Sequence, residues 1–375
     1  MSVTQQKQYL TREEFERLRE GEERRLQRVV ADYHDDVLVI SSFDSHLNYH
    51  FQLSDAPTRI EVRNRFYDSG GLSPDFIVDF TNGYRLVVER KRSWSDYPSK
   101  SLQQLSRYKA LASRGSVIAS ATIGSGSKDS DVQTQLGDVV LLIGHGDDEQ
   151  AAESIANAPE LGPKSIVVFD SQQEAFKVNN ATVKFTCRKL GGWNGLFVSE
   201  NVASPDSEYN LNNLLIGPKR GFVARCDKEA LVQAGECPFI NDAPPPYYTI
   251  CHLFLPAINE LLAEADRDDL ASEAESIHAF AYDSIVGVAR RRFTRLPEGK
   301  IQTWLRGAVK LLIDLGIVTT SYIEGIETLN LKLGPKNDRL QSQKMIEKIA
   351  RISVRRAAVI YSEDPKTRQL QLEFD

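Results

Sequence analysis

The residues able to do chemistry lie in one stretch, Ser73–Lys91, which reads Ser-Pro-Asp-Phe-Ile-Val-Asp-Phe-Thr-Asn-Gly-Tyr-Arg-Leu-Val-Val-Glu-Arg-Lys. Two carboxylates, Asp75 and Glu89, and one amine, Lys91, sit on either side of Asn82-Gly83, the strongest short signal for a β-hairpin. Two hard oxygen donors with coordination positions left open suit Mg²⁺ or Mn²⁺. Such an ion polarises a phosphodiester and helps to deprotonate a water, while a lysine beside it offsets charge that develops on the phosphate.

Whether these groups meet depends on register. A two-residue turn at Asn82-Gly83 pairs Asp75 with Arg90 and sends Glu89 to the opposite face. A three-residue loop, Thr81-Asn82-Gly83 with Gly83 left-handed, pairs Asp75 with Glu89, Phe76 with Val88, Val78 with Leu86 and Phe80 with Tyr84. The second register makes one face apolar throughout, whereas a slip of one residue would scatter the apolar set over both faces. It is therefore the preferred reading. Side chains alternate along a strand, so Lys91 then shares the face of Glu89. Like charges placed opposite each other repel, and a sequence tolerates this when a positive group sits between them. Asp79 falls across from Arg85 and reads as a structural ion pair.

Pro74-Asp75, a short turn and Glu89-Arg90-Lys91 resemble the motif of the PD-(D/E)XK nuclease superfamily. The following segment, Ser99–Leu111, reads as a helix and contains Gln104-Leu105-x-x-Tyr108, similar to the QxxxY element of RecB-like members. Residues four apart share a helix face, so Gln104 and Tyr108 point the same way. The resemblance spans roughly residues 15 to 145. It implies a restriction-endonuclease-like α/β core, a mixed central sheet flanked by helices. It also implies Asp75, Glu89, Lys91 and Gln104 as catalytic residues and Mg²⁺ or Mn²⁺ as cofactor.

The elements that must position these groups begin with a charged helix over residues 10 to 31. Its apolar stripe is Phe15, Leu18, Leu26 and Val29, and Glu22 falls on that stripe. A carboxylate on a buried stripe needs a partner. Members of the superfamily often carry a glutamate on the first core helix that reaches the metal, which makes Glu22 a third metal candidate and Glu23 its alternative. Strands are expected at Val37–Ser42, Phe43–Leu53 and Ile60–Phe66, then after the hairpin at Ser116–Ile123, Val139–Ile143 and Ser165–Phe169. His46 and His50 read as partly buried structural residues.

Arg92, Lys100, Arg107 and Tyr108 are the nucleic-acid contacts expected around the hairpin, with Trp94 and Tyr97 as aromatic platforms. The G-x-x-x-x-G-K-[ST] spacing is missing from Gly124–Ser130, and the G-x-G-x-x-G spacing from the turn at Gly144, so no nucleotide cofactor is expected. Residues 176 to 245 lean towards β structure and end in a Pro-rich linker. From residue 246 the chain reads as mainly helical, with helices at Cys251–Ala265, Ser272–Ala289 and Lys300–Leu315. A hairpin after the last of these resembles a winged-helix ending. Arg291, Arg295, Lys300 and Arg306 give this part a basic patch suited to DNA or to a protein partner. The domain division expected is therefore 1–175, 176–245 and 246–375.

The chain of 375 residues carries a net charge of −6, so nucleic-acid binding must rest on local patches rather than on overall charge. Its 41% hydrophobic and 26% charged residues are those of a globular protein. A polar N-terminus and the lack of a long apolar run predict no secretory signal and no membrane span. The four cysteines show no C-x-x-C pair and fit no zinc-finger spacing, which predicts a reduced, cytoplasmic protein. The resulting expectation is a Mg²⁺-dependent deoxyribonuclease of a defence or restriction type, with DNA as partner and a protein partner or a second copy in addition. Two alternatives stand beside it. One is a TnsA-like endonuclease subunit of a heteromeric transposase, suggested by Pro74-Asp75-Phe76 and the upstream Thr58–Val62. The other is an inactive DNA- or protein-binding scaffold.

Overall fold

The computed structural model describes residues 11–51, 60–81, 83–94, 98–114, 137–161, 166–177, 180–188, 214–215, 221–227, 238–265, 276–333 and 342–357. The strand expected at Ser116–Ile123, the loop at Gly124–Ser130 and Tyr97 lie outside these residues. The fold is mixed α/β. The chain divides into two compact units, one of residues 1–34 and 244–375, the other of residues 35–243. Helix α1 (Arg12–Phe51) contributes to both.

The second unit is built on one seven-stranded sheet of order β1-β2-β3-β4-β5-β6-β7. Its strands are β1 (Ile60–Asn64), β2 (Phe76–Phe80), β3 (Arg85–Lys91), β4 (Gly137–Gly144), β5 (Ile166–Lys177), β6 (Asn180–Arg188) and β7 (Gly221–Asp227). The central strands β3, β4 and β5 are parallel, and the outer pairs are antiparallel. Parallel neighbours need crossovers, supplied in part by α2 (Pro98–Ser113) between β3 and β4 and by α3 (Asp148–Ala156) between β4 and β5. With helices on its faces, the middle of the sheet reads as continuous apolar runs, and every residue of β2 and β4 is buried. The boundary expected at residue 175 falls inside β5, and β6 and β7 continue the same sheet.

The hairpin has the three-residue register. Phe76 lies opposite Val88, Ile77 opposite Val87, Val78 opposite Leu86 and Asp79 opposite Arg85. Phe80 and Tyr84 close the loop, with the Phe80 N–H donating to the Tyr84 carbonyl at 2.9 Å and the Gly83 N–H donating to Phe80 at 2.9 Å. Gly83 has φ +86°, a conformation that glycine adopts at little cost. The Arg85 guanidinium grips both oxygens of Asp79, at 2.6 and 2.9 Å, and both side chains are buried.

Two expected elements are corrected. The strand placed at Val37–Ser42, and the one placed at Phe43–Leu53 as far as Phe51, are the second half of α1, which runs 40 residues. Val37 to Phe43 are all buried, so this part of the helix is covered all round. That erases the 3.6-residue alternation and leaves an apolar run indistinguishable from a buried strand. Phe43 packs edge-on against Phe76 and Phe169, and Phe51 against Phe80, which seats the helix on the apolar face of the hairpin. In the other unit, the described part of the helix placed at Ser272–Ala289 comprises a strand, β8 (Ser276–Ala281), and the start of α6 (Tyr282–Arg292). Pairing of β8 with the strand Ile326–Leu333 decides this, through partners such as Phe280 with Leu329.

The rest of that unit comprises α4 (Pro246–Thr249), a π-helical turn at Ile250–Phe254, α5 (Leu255–Ala265), α7 (Glu298–Asp314), α8 (Ser342–Ala357) and the hairpin β9 (Val318–Ile323) and β10 (Ile326–Leu333). β8, β10 and β9 form a three-stranded antiparallel sheet in that order. Helix α7 buries Ile301, Trp304, Leu305, Ala308, Val309 and Leu312, the spacing of a one-faced amphipathic helix. No helix among the described residues is long and apolar enough to cross a membrane.

Breaking the Asp79–Arg85 pair leaves a buried guanidinium without its counter-charge. Asp79→Ala should cost about 3–5 kcal/mol in urea unfolding. A loss below about 1 kcal/mol would show that the pair is not a structural element of the hairpin.

Candidate functional site

The sheet end carrying the C-terminus of β3 brings together Asp75, Glu89, Lys91, Gln104 and Tyr108. One step beyond the last pairs of the hairpin ladder, Asp75 enters opposite Glu89. The backbone N–H of Arg90 donates to Asp75 Oδ2 at 2.5 Å, which ties the first carboxylate to the second strand. Lys91 Nζ lies 2.6 Å from Glu89 Oε1. Asp75 is 2% and Glu89 4% exposed, whereas Lys91 is half-buried at the edge of the site.

Helix α2 covers this end of the sheet. It packs through Leu105, Tyr108, Leu111 and Ala112, and this stripe turns Gln104 towards β3. Gln104 Nε2 donates to Glu89 Oε1 at 3.1 Å and to the Tyr108 hydroxyl oxygen at 2.7 Å. Tyr108 in turn hydrogen-bonds Glu89. Lys91, Gln104 and Tyr108 thus converge on one carboxylate. Behind the site, Arg90 points to the other face. Its guanidinium reaches Asp36, the Leu142 and Lys91 carbonyls and Ser171 Oγ, which anchors the strand end that presents Lys91.

The electrostatics follow from crowding like charges in a buried place. Burial, then the charges of Glu89 and Asp242, hold the Asp75 carboxyl well above the usual carboxylate range. Burial pushes Glu89 up to about 7 against the pull of Lys91, and the charge of Asp242 adds to the rise. Burial alone would lower the Lys91 ammonium. The charges of Glu89, Asp75 and Asp242 outweigh it and leave Lys91 above its ordinary value. Burial and then the Glu89 charge also hold Tyr108 in its neutral form.

Several other expected residues are held by partners of their own. Both oxygens of Glu22 are held by Arg25, each at 2.7 Å, and Glu23 receives Arg19 and Gln27. Among the described residues, no third His, Cys, Asp or Glu joins a pair closely enough to make a protein-only metal cage. Mg²⁺ does not require one, because it keeps several waters and takes one or two carboxylates together with substrate oxygens. Tyr108, expected as a nucleic-acid contact, is buried and faces Glu89, so it offers no stacking surface. Trp94 is likewise buried, with its indole N–H on Ser154 Oγ at 3.0 Å. Arg107 donates to the Gly71 carbonyl at 2.9 Å, and Arg92 pairs with Asp36 at 2.5 Å. Lys100 is exposed. His46 is packed on Phe222, and burial pushes it down to about 4, which suits a structural role.

In the unit of residues 1–34 and 244–375, Arg291 pairs with Glu260 and Glu264 at 3.3 and 3.1 Å. Arg306 pairs with Glu327 at 2.6 Å and lies over the Tyr282 ring. Lys300 lies 5.7 Å from the Trp304 ring, and Arg295 is exposed. Acidic neighbours therefore neutralise much of the basic patch that the sequence suggested.

Sequence reasoning missed Asn241, and it assigned Asp242 to the Pro-rich linker. Asp242 is exposed, yet its charge acts on Asp75, Glu89, Lys91 and Tyr108. No spacing could have linked it to a motif more than 150 residues away. Comparison of the chain with family models, curated proteins and solved structures gave no match.

The raised carboxyls fix the sign of a pH effect. In the absence of metal, the fold keeps protons on this pair that the unfolded chain would release. That stabilisation is complete below the ordinary carboxylate range and is lost as pH rises through about 7. Unfolding stability in EDTA should fall by on the order of a few kcal/mol between about pH 5 and about pH 7.5. Glu89→Gln should flatten that slope. An equally steep slope in the variant would remove Glu89 as its source.

Proposed function

We propose that the protein is a metal-dependent nuclease that hydrolyses phosphodiester bonds, with DNA as substrate. The observation carrying this reading is the buried, facing pair Asp75 and Glu89, with the half-buried Lys91 on the same face of a hairpin end. Two carboxylates buried side by side destabilise a fold unless a cation or a proton sits with them. Both are hard oxygen donors, which fits Mg²⁺ or Mn²⁺. When bound, such an ion supplies Lewis-acid polarisation of the phosphodiester and a water of lowered pKa.

The protein's own residues do the rest. Asp75 and Glu89 hold the ion. The Arg90 N–H keeps Asp75 in place, and Gln104 and Tyr108 fix Glu89 from the helix side. Lys91 pairs with Glu89 and is close enough to transfer its interaction to a phosphate oxygen, where it offsets developing negative charge. The half-buried position of Lys91 leaves it open towards a substrate backbone. Lys100 lies nearby in sequence on the first turn of α2 and adds positive field.

Two finer assignments belong to the same reading. A restriction-endonuclease-like core for the second unit is supported by a helix on the apolar face of the hairpin, a helix carrying Gln104 on the other, and parallel strands following. The order β8, α6, α7, β9, β10 supports reading this part as a winged helix, which would serve to choose the DNA or protein partner.

Purified protein should cleave plasmid, linear or single-stranded DNA in Mg²⁺ or Mn²⁺ and stop on addition of EDTA. Asp75→Asn and Lys91→Ala should each reduce cleavage by about two orders of magnitude or more, with circular dichroism unchanged. Cleavage by either variant at the wild-type rate would overturn the assignment. RNA offered under the same conditions tests the choice of DNA. A requirement for a partner transposase would move the reading to the TnsA-like alternative.

A further inference from the structure

The segment after β7 returns to the site from far along the chain. Phe239 and Ile240 are buried at 0% and 3% exposure and anchor it. Asn241 follows, 4% exposed, and its Nδ2 donates to the Tyr67 carbonyl at 2.6 Å and to the Pro74 carbonyl at 2.8 Å. One amide group thus joins the two ends of the loop between β1 and β2. The second of those ends is the peptide that immediately precedes Asp75. Arg107 holds the middle of the same loop through Gly71. At Gly70 and Gly71 the loop takes φ of +59° and +70°. The next residue along, Asp242, is exposed and lies within electrostatic reach of Asp75, Glu89 and Lys91.

We propose that Asn241 and Asp242 belong to the metal site: Asn241 as the positioning residue that sets the backbone carrying Asp75, and Asp242 as an outer carboxylate that acts on the bound ion through its water ligands. This inference rests on the nuclease reading above. The physical case for Asn241 is that an aspartate can share an ion with Glu89 only if its backbone is held. The chain before Asp75 is a glycine-containing loop with little side-chain packing of its own, and Asn241 supplies two of its fixed points. The case for Asp242 is one of charge. Asp75, Glu89 and Lys91 sum to a single negative charge when ionised, and Asp242 brings the set to the two that balance a divalent ion. Asn241 delivers it, because residue 242 cannot move far from a buried neighbour hydrogen-bonded to Pro74. Hydrated Mg²⁺ and Mn²⁺ are commonly held in part through such water-mediated partners.

The test is Mn²⁺ binding by isothermal titration to the full chain, with cleavage measured as a function of Mn²⁺ concentration. Asn241→Ala should weaken Mn²⁺ affinity by about 10–100-fold, the usual effect of removing an outer partner of a metal ligand. Cleavage by this variant should recover towards the wild-type maximum as Mn²⁺ is raised. Asp242→Asn should weaken Mn²⁺ by about 10-fold with an unchanged melting temperature. The second variant alters an exposed residue and decides the matter if the first does not fold. Wild-type affinity in Asp242→Asn, together with wild-type affinity or a purely thermal defect in Asn241→Ala, overturns this inference and leaves the nuclease reading standing. Equal Mn²⁺ binding by wild type and Asp75→Asn overturns the nuclease reading itself and this inference with it.

Discussion

Two buried carboxylates from neighbouring strands, with a half-buried lysine beside them, are the constraint around which the second unit is arranged. Their proximity is unfavourable in itself, so each is held by its own set of donors. Asp75 takes the Arg90 N–H. Glu89 takes Lys91, Gln104 and Tyr108. These donors come from the partner strand, from the same strand and from a helix beyond it. The arrangement exists only when hairpin register, strand length and helix docking are all satisfied together. A slip of one residue in the hairpin would move Glu89 and Lys91 to the face occupied by α1.

Around the site, the arginines are kept away from the pair by dedicated carboxylates. Asp79 holds Arg85, Asp44 holds Arg63 and Arg65, and Asp36 holds Arg90 and Arg92. Buried ion pairs of this kind contribute little net stability, because desolvation offsets most of the attraction. Their effect is on arrangement. Each fixes a strand to its neighbour or to α1, and together they leave Lys91 as the cation nearest to Glu89. A lysine suits that position better than an arginine, since a compact ammonium on a flexible stem can exchange a carboxylate for a phosphate oxygen.

The other unit shows how poorly a run of basic residues reports on binding when the acidic residues that meet it are distant in sequence. Arg291 faces Glu260 and Glu264, Arg290 faces Glu298, and Arg306 faces Glu327. In these cases the charges stitch helix to helix or helix to strand. Arg295 is exposed beyond the end of α6, and Lys300 at the start of α7 lies over the Trp304 ring.

The hairpin register and the meeting of Asp75, Glu89 and Lys91 were legible in the amino-acid sequence because they depend on local rules: alternation along a strand, the conformational freedom of Gly83 and the helical spacing of Gln104 and Tyr108. Asp79 with Arg85 followed from the same register. The second half of α1 was not legible, because burial on every side removes the periodicity that distinguishes a helix from a strand. Nor was β8, whose conformation is imposed by β10 about fifty residues later. Tyr108 and Trp94 look alike in sequence whether they stack on a base or fill a core, and only packing made them interior. Asn241 and Asp242 reach the site by a return of the chain that no local pattern records. Sequence therefore determined which groups could face each other across one turn. Tertiary structure decided which charges are neutralised, which aromatics are hidden and which distant residues close the site, because these depend on contacts between segments that are far apart along the chain.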